Sequence, residues 1–464
     1  MSDERKHGMS RREFLRNASL IAAGALLLAA CPAPGQSGAA PAAGGANAPA
    51  AAGVTVEWWH GWGGTVALGT LQKVTDAFNA QNTGFQAKRT QVQKISDKLL
   101  TAIAGGTPPD VVTGGVFYSE FYSRDSMLPL DDHIDASKVI DKKDIFPSSW
   151  TYASWQGKTY GVPSVESFLR YALSANLGLL QKKGLDPKNM PQTFDEAYEW
   201  HKSLTELDKA GNVAILGFDP MDGMAGSWGG GDPFYWGAAY DKKAYDEQTK
   251  TYHVNEDWFI EVLTTIKKFD DLVGIEKIDG YRKSFGGWTE SPTASFPAGV
   301  QAMIINGYWG PGELAHSAPD NKFVNTWMMV QTSRKGKKIQ STGGHNSQIP
   351  KGVTHVDQAF QFIEFLVGDK ASDIIYAGTG WVGARKSYMA KVDTSKYPGL
   401  DFYIKSATEA DEMLGMPVDP IEGFTNTQWN DAVNAVNHGS KTPKQAAQDM
   451  QDALTKEYQT RFSK

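Results

Sequence analysis

The chain has one cysteine among its 464 residues, and this scarcity excludes two kinds of site. Cys31 has no second cysteine with which to form an internal disulfide, and a lone thiolate does not make a metal site. No basic stripe runs along the chain, whose net charge is −6, and this argues against nucleic acid as a ligand. The apolar run Ala18 to Ala30 is shorter than the about 20 residues that a membrane-spanning helix needs.

Patterns typical of several enzyme classes are also missing. The chain has no Gly-x-Ser-x-Gly elbow, no His-Glu-x-x-His zinc helix and no Gly-x-x-x-x-Gly-Lys-Ser/Thr phosphate loop. Its nine histidines do not cluster at metal-ligand spacing. A glycoside hydrolase needs two carboxylates that face each other, whereas Asp131-Asp132 and Asp270-Asp271 are adjacent pairs that normally point apart or into solvent. We therefore predict no catalytic residue, no metal and no cofactor.

The first 53 residues predict export rather than a folded domain. Ser10 to Leu15 has the form of a twin-arginine signal, and the apolar run behind it suits a signal-peptide core. Leu28 to Cys31 looks like a bacterial lipobox, in which Cys31 becomes a lipid-modified N-terminus. Residues 1–30 are predicted to be a twin-arginine lipoprotein signal peptide and 31–53 an Ala/Gly/Pro tether. The expected location is the outer face of the cytoplasmic membrane or the periplasm, with the lipid as anchor.

Aromatic residues are plentiful, and several follow predicted strands in glycine-rich loops. The chain has 14 Trp and 17 Tyr. Val54 to Trp58 alternates as a strand does and leads into Trp59-His60-Gly61-Trp62, while Val111 to Thr113 predicts a second strand followed by glycines and Tyr118. Open α/β sheets bind ligands at the carboxyl ends of their strands. The rings in these loops are therefore candidates for ligand contact.

The segment Phe296 to Gly310 gives the clearest example of aromatic residues that follow a predicted strand. Ala302 to Ile305 is a short apolar run between turn signals, which predicts a strand buried on both faces. Tyr308 and Trp309 follow at its carboxyl end, where large rings suit a flat and partly apolar ligand. For Trp309, as for any single Trp, packing under a loop explains the residue as well as ligand contact does.

Capping signals predict where three helices begin. Ser96 is expected to cap the second helix, with Ile95 and Leu100 as a hydrophobic staple. Thr193 to Glu196 and Thr442 to Gln445 each have the form of a capping box. These signals place helices after each of the three sites.

Between residues 54 and 460 a series of short motifs occurs: Phe78-Asn79, Leu99 to Val111, Tyr160 to Pro163 with Tyr171 and Asn176-Leu177, Pro191 to Glu196, Phe296 to Trp309, and Gly343-Gly344 followed by Ala359 to Leu366. In order and spacing, these motifs resemble the extracellular solute-binding proteins of bacterial ABC importers. The similar family is the sugar-binding one that includes maltose-binding protein.

This resemblance implies an α/β, two-lobed periplasmic-binding-protein-like (Venus flytrap) fold with a discontinuous lobe pair and an interlobe cleft. The chain would cross between lobes near Glu166, return near Gly299 and cross again near Gly343. Lobe 1 is then 54–165 plus 299–343, and lobe 2 is 166–298 plus 344–464. The resemblance further implies a monomer that closes around its ligand and delivers it to ABC permease subunits in the membrane.

A sugar site needs aromatic rings for the C–H faces of the ligand and polar groups for its hydroxyl edges. Glu166, at the predicted crossover, offers a carboxylate that accepts hydrogen bonds from two hydroxyls. Trp381 and Arg385 resemble the family's late G-x-x-P-x-R segment, from which Ala384 departs. The predicted ligand-binding residues are Trp59, His60, Trp62, Tyr118, Glu166, Trp228, Asp232, Trp236, Trp309, Gly343, Gly344, His345, Trp381 and Arg385.

Carbohydrate is the ligand class that this mixture of residues favours, and other classes are left open. A polyamine would need several carboxylates in the cleft, and an iron ligand would need Tyr and His groups. A secreted glycoside hydrolase is the less favoured alternative, because the facing pair of carboxylates is not evident.

Overall fold

The computed structural model describes residues 53–166, 169–223, 233–285 and 288–462. The predicted signal peptide and tether with Cys31, and the predicted ligand residues Trp228 and Asp232, lie outside these described ranges. In the described part the fold is α/β, with two five-stranded sheets and helices packed on them. None of its helices combines the length and the apolar character that crossing a bilayer would require.

The first sheet has the order β2-β1-β3-β15-β6, and the second has the order β13-β7-β12-β9-β8. Three two-stranded sheets accompany them, namely β4-β5, β10-β11 and β14-β16. In chain order the strands are β1 (Thr55–His60), β2 (Gln86–Gln91), β3 (Val111–Thr113), β4 (Ser154–Trp155), β5 (Lys158–Thr159), β6 (Gly161–Pro163), β7 (Ala172–Asn176), β8 (Glu206–Leu207), β9 (Val213–Phe218), β10 (Tyr245–Asp246), β11 (Thr251–Tyr252), β12 (Gln301–Asn306), β13 (Phe323–Thr326), β14 (Ile339–Thr342), β15 (Asn346–Gln348) and β16 (Glu412–Gly415).

Helices cover both sheets. In chain order they are α1 (Thr65–Asn79), α2 (Ile95–Ala104), α3 (Tyr118–Ser123), α4 (Asp131–Ala136), α5 (Pro147–Thr151), α6 (Leu177–Lys182), α7 (Phe194–Leu204), α8 (Pro233–Tyr240), α9 (Asp257–Asp270), α10 (Ile275–Phe285), α11 (Trp309–Ser317), α12 (Val356–Val367), α13 (Asp369–Thr379), α14 (Lys386–Met389), α15 (Leu400–Glu409), α16 (Glu422–Asn437) and α17 (Pro443–Phe462).

The strand predicted from Ala302 to Ile305 is confirmed as β12, and all six of its residues are buried. It runs antiparallel to β7 and parallel to β9 in the middle of the second sheet. A strand covered on both faces reads as a continuous apolar run, which is the pattern that the sequence shows. The following helix, α11, begins at Trp309, so the indole lies at the carboxyl end of the strand as expected.

The predicted assignment of chain segments to the two lobes needs correction. β12 belongs to the second sheet, with β7 to β9, although residues 299–343 were expected in lobe 1. β15 belongs to the first sheet, although residues 344–464 were expected in lobe 2. The crossings near Glu166 and Gly343 are present, but the chain does not return to the first sheet near Gly299. Burial on both faces suits the middle of either sheet, so the apolar pattern of β12 could not tell them apart.

Two of the three predicted helix starts are confirmed. The Thr193 hydroxyl accepts a hydrogen bond from the Glu196 amide at 3.3 Å, and Thr442 and Gln445 bond reciprocally. The prediction for Ser96 is wrong, because α2 begins two residues earlier than an N-cap at Ser96 implies, with Lys94 as its N-cap. Ser96 instead accepts a hydrogen bond from the Phe117 amide, which ties α2 to the loop after β3.

The adjacent acidic pair Asp270-Asp271 points apart, as expected. Asp271 is exposed and pairs with Lys267, whereas Asp270 is buried and pairs with Arg282. Arg282 also contacts Asp219 with two hydrogen bonds of 2.9 and 2.6 Å. Asn437 on α16 donates to Asp270, so the cluster joins α9, α10 and α16 inside the part built on the second sheet. These ion pairs therefore have a structural explanation.

Candidate functional site

A cavity of about 210 Å³ lies between the two sheets, and loops that carry aromatic residues line it. One wall comes from loops that follow β1, β3 and α13 and from the residue before β15. The opposite wall comes from α11 and from the segment before β12, and the segment between β6 and β7 joins the two. The lining residues are Gly61, Trp62, Gly63, Gly115, His345 and Trp381 on the first wall, Trp288, Glu290, Trp309 and Glu313 on the second, and Glu166 and Arg170 on the joining segment.

Glu166 connects the two walls through three side chains. Its Oε1 accepts a hydrogen bond from Trp62 Nε1 at 2.9 Å, and His345 Nδ1 forms an ion pair with the same oxygen. Its Oε2 accepts a hydrogen bond from the Tyr308 hydroxyl. Because these partners follow or precede strands of different sheets, the glutamate lies where the sheets meet.

The environment of Glu166 favours its ionised form. Burial raises the pKa of the carboxyl group, but the attraction of His345 and the hydrogen bonds from His345, Tyr308 and Trp62 together outweigh burial. The pKa of Glu166 therefore lies below its ordinary value. Burial and the charge of Glu166 raise the pKa of Tyr308 well above its usual range, so its hydroxyl keeps the proton that it donates.

Glu313, on α11, has the opposite environment. Its two oxygens accept hydrogen bonds from Trp288 Nε1 at 2.7 Å and from the Thr289 hydroxyl. Burial raises the pKa of Glu313 well above its usual range, and these neutral donors offset burial only in part. The charges of Glu290 and Glu166 raise the pKa further. The neutral form of Glu313 is favoured as a result.

The four tryptophans form two pairs, one on each wall. The ring centroids of Trp62 and Trp381 lie 5.9 Å apart, and those of Trp288 and Trp309 lie 5.7 Å apart in a stacked arrangement. In each pair one indole donates to a glutamate, Trp62 to Glu166 and Trp288 to Glu313. The indole N–H groups of the other two are buried without an acceptor among the described residues. One ring of each pair is thus fixed by a carboxyl group and the other by packing.

Arg170 supplies a positive charge where the joining segment meets Trp309. Its guanidinium lies over the Trp309 ring, 5.5 Å from the centroid, and its Nη1 donates to the Gly343 carbonyl at 3.3 Å. Gly344 has φ of 127°, and a Cβ placed there would lie 2.3 Å from Arg170 Nη1. Glycine at this position therefore leaves the space that the guanidinium occupies.

Five of the predicted ligand residues line the cavity: Trp62, Glu166, Trp309, His345 and Trp381. They come from parts of the chain far apart in sequence, and only folding brings them together. The glycine pair Gly343-Gly344 lies beside them and acts on the site through Arg170, rather than by lining the cavity.

Three predicted residues near the first two strands are placed elsewhere, so their expected role as ligand contacts is corrected. His60 has no exposed surface and pairs with Arg89 at 3.0 Å, and burial together with Arg89 lowers its pKa to about 3. Tyr118 is fully buried, and its hydroxyl accepts hydrogen bonds from backbone amides. Trp59 alternates with Trp58 along β1 and packs on the other face of the sheet.

Two further predictions are corrected in the same way. Trp236, on α8, is buried and stacks on Phe194 with centroids 4.8 Å apart. Arg385 forms an ion pair with Asp369 and does not line the cavity. The departure from the family pattern at Ala384 fits this placement.

Four further residues of the lining were not among the predicted ligand residues, namely Arg170, Trp288, Glu290 and Glu313. Trp288 follows Gly286-Gly287, which is the glycine–aromatic signal that identified the other loops. Arg170 lies four residues after Glu166 on the same crossover, and Glu313 lies four residues after Trp309, one helical turn along α11. Helical spacing from Trp309 could have found Glu313, whereas Arg170 lies outside any helix and has no such signal.

A second cavity, of about 630 Å³, is larger but has different walls. It lies beside α8, β16 and the start of α16, and its lining includes exposed lysines and acidic residues rather than a set of tryptophans. The smaller cavity combines strand ends, ring pairs and buried carboxyl groups. It is therefore the candidate functional site.

One family of known proteins matches this chain. The family model described as bacterial extracellular solute-binding protein matches residues 73–401, well over half of the chain. A comparison with curated protein sequences found no match.

Solved structures show the same two-lobed fold at low sequence identity. CpMnBP1 with mannotriose bound is 21% identical with a TM-score of 0.77, over 86% of this chain and 100% of that one. The maltose/maltodextrin-binding domain MalE from Bdellovibrio bacteriovorus bound to maltotriose is 18% identical with a TM-score of 0.67, over 87% and 99%. A solute-binding protein from Thermotoga lettingae bound with α-D-tagatose is 20% identical with a TM-score of 0.68, over 86% and 99%.

Proposed function

The chain belongs to the family of bacterial extracellular solute-binding proteins, and we propose that it captures a carbohydrate between its two sheets for delivery to an ABC importer. The observation that carries this proposal is the pairing of tryptophans on opposite walls of one cavity, with the ionised Glu166 between them. Sugars present C–H faces that pack on aromatic rings and hydroxyl edges that donate to carboxylates. The cavity offers both kinds of surface.

The size of the cavity favours a short ligand. Sites for drug-sized ligands usually enclose about 300–1,000 Å³, and this one measures about 210 Å³. One sugar ring fits such a space better than a chain of rings does. The bound mannotriose, maltotriose and tagatose of the similar structures support carbohydrate as a class, over a range of ligand lengths.

The position of the cavity suits capture by closure. Its walls belong to two sheets that are joined by the segments near Glu166 and Gly343, and hinge closure of two lobes around a ligand is an established class of motion. We propose that closure presents a surface to the permease and that the ligand is released unaltered. Lipid attachment at Cys31 would keep the binder beside the permease.

A melting-temperature screen against sugars tests the proposal, because a ligand that binds only the folded state raises the transition. Trp62→Ala should abolish the shift that the best sugar produces, and Trp155→Ala is the matched control, since Trp155 is partly buried away from the cavity. Failure of every sugar to shift the transition, or equal shifts in both variants, would refute carbohydrate capture at this site.

Glycoside hydrolysis is a second candidate, supported by one observation. The pKa of Glu166 is lowered and the pKa of Glu313 is raised on one cavity, and glycosidases use such a division between two carboxyl groups. Incubation with oligosaccharides and chromatography of the products separates the two functions. Appearance of shortened sugars that Glu313→Gln abolishes would establish hydrolysis, whereas intact sugars recovered from a protein that binds them would exclude it.

A further inference from the structure

The charged residues that line the cavity differ in whether the protein already provides their partners. Glu166 has Trp62, Tyr308 and His345, and Glu313 has Trp288 and Thr289. Glu290 also lines the cavity; its carboxylate oxygens lie against Gly64, where α1 begins, and among the described residues no side chain forms a hydrogen bond or an ion pair with it. Glu290 is half-buried, and burial raises the pKa of its carboxyl group. Its carboxylate is therefore available to a group on the ligand.

Both basic side chains of the lining, His345 and Arg170, are already engaged. His345 forms its ion pair with Glu166, and Arg170 donates to the Gly343 carbonyl and lies over Trp309. An anionic ligand would have to compete with Glu166 and the Gly343 carbonyl for these two groups and would face the carboxylate of Glu290. A cationic ligand would meet an unpaired carboxylate and a second carboxyl group, Glu313, which an ammonium group nearby would help to ionise.

The walls add a second reason to expect a cation. Indole faces attract cations through the negative charge density of the ring, and protein sites for quaternary ammonium groups are built from such rings. Arg170 over Trp309 shows that a ring of this cavity already accepts a cation from the protein itself. Four tryptophans around a small volume with an unpaired carboxylate are suited to a ligand that carries positive charge.

We infer that the cavity selects a ligand with a cationic nitrogen, which Glu290 receives, and that within the proposed sugar-binding function this ligand is an amino sugar. Glu290 then determines specificity by charge, while the tryptophans and Glu166 bind the ring that all hexoses share. That the ligand contains a sugar ring rests on the proposed function. That it carries a cationic nitrogen rests on Glu290 alone.

Calorimetric titration of the purified full chain with matched ligands tests this inference. The ligands are glucose, glucosamine, N-acetylglucosamine and glucuronate, together with the corresponding four derivatives of mannose. The titrations are made at about pH 6, where the amine is protonated. Acetylation removes the charge and keeps the nitrogen. We expect the amino sugar of one set to bind at least about tenfold more tightly than its parent hexose and its N-acetyl form, with no binding of the uronate.

Glu290→Gln should remove this tenfold preference, so that the affinity for the amino sugar falls at least about tenfold more than the affinity for the uncharged hexose. The control is Glu199→Gln, on the exposed face of α7, where Glu199 pairs with Lys202, and it should keep the preference. Because Glu290 has no described partner, the isosteric variant should fold, and its melting temperature checks this. Loss of hexose binding together with the preference would indicate a structural role and would overturn the inference.

The remaining outcomes separate this inference from the proposed function. If hexoses bind as tightly as amino sugars, the inference is wrong and carbohydrate capture stands. If spermidine binds and no sugar does, carbohydrate capture is wrong, and sensitivity to Glu290→Gln still supports the cationic nitrogen. If neither amines nor sugars bind, both are wrong.

Discussion

Glu166 and Glu313 are two buried glutamates on one cavity, and their surroundings drive them to opposite charge states. Glu166 has three donors, one of which is a histidine that attracts the carboxylate, whereas Glu313 has two neutral donors. Burial disfavours the charged form of both. The comparison shows that the number and charge of donors, rather than depth of burial, decide which carboxylate is available as an anion.

Removal of His345 gives the largest expected effect. His345→Gln leaves the Glu166 carboxylate buried without its ion-pair partner, and breaking a buried pair costs about 3–5 kcal/mol. Denaturant unfolding at neutral pH measures this loss. His438→Gln breaks an ion pair with Asp279 at the surface and should cost about 0–1 kcal/mol.

A double variant checks that this loss comes from Glu166. Glu166→Gln together with His345→Gln should be more stable than the sum of the two single losses implies, because each single variant leaves a partner unpaired. Additive losses would show that His345 stabilises the fold by some other contact.

Removal of the Tyr308 hydroxyl should have the next largest effect. Tyr308→Phe deletes one hydrogen bond to the Glu166 carboxylate and should lower the free energy of unfolding by about 2 kcal/mol. The matched control is Tyr388→Phe, which deletes a 3.0 Å hydrogen bond to Asp373 in a more exposed setting. If both variants lose the same free energy of unfolding, burial does not strengthen the hydrogen bond to Glu166.

The dependence of stability on pH should have opposite signs for the two glutamates. The raised pKa of Glu313 means that the folded state holds a proton that the unfolded state loses above about pH 4.3, so stability falls as pH rises through that window. Glu313→Gln should remove this slope, which reaches at most about 1.4 kcal/mol per pH unit.

For Glu166 the folded pKa is lowered, so its contribution is present above about pH 4.3 and is lost as pH falls through the folded pKa. Glu166→Gln should therefore reduce the dependence of the free energy of unfolding on pH below about pH 4.3, and Glu313→Gln should reduce it above that pH. Chemical unfolding from about pH 3 to pH 8 compares the two, and equal slopes in wild type and variants would contradict both assignments.

The smallest expected effect is that of Trp288→Phe. It deletes one neutral hydrogen bond to Glu313 and keeps an aromatic ring against Trp309, so the cost should be about 1 kcal/mol. The larger loss is expected for Trp62→Phe, whose partner Glu166 is charged. Melting temperatures that decrease from wild type to Trp288→Phe and again to Trp62→Phe would support the difference between the two glutamates. A lower melting temperature for Trp288→Phe than for Trp62→Phe would contradict it.

Local sequence patterns were sufficient for elements whose cause is local. The apolar run of β12 and the capping boxes at Thr193 and Thr442 depend on neighbours within a few residues, and the structure has them where expected. Ser96 failed because its hydroxyl found a partner in Phe117, which is 21 residues away, rather than in its own helix.

The sequence by itself determined that aromatic residues follow strands, that Trp309 follows β12, and that the order of motifs matches one family. Only the tertiary structure decided which rings face the cavity, since Trp59 in β1 packs against the core on one face of the first sheet, whereas Trp62 in the loop after β1 lines the cavity. It also decided the charge states, because Tyr308 reaches Glu166 across 142 residues of chain. Burial and donors supplied from distant segments have no signature in the residues next to a carboxyl group.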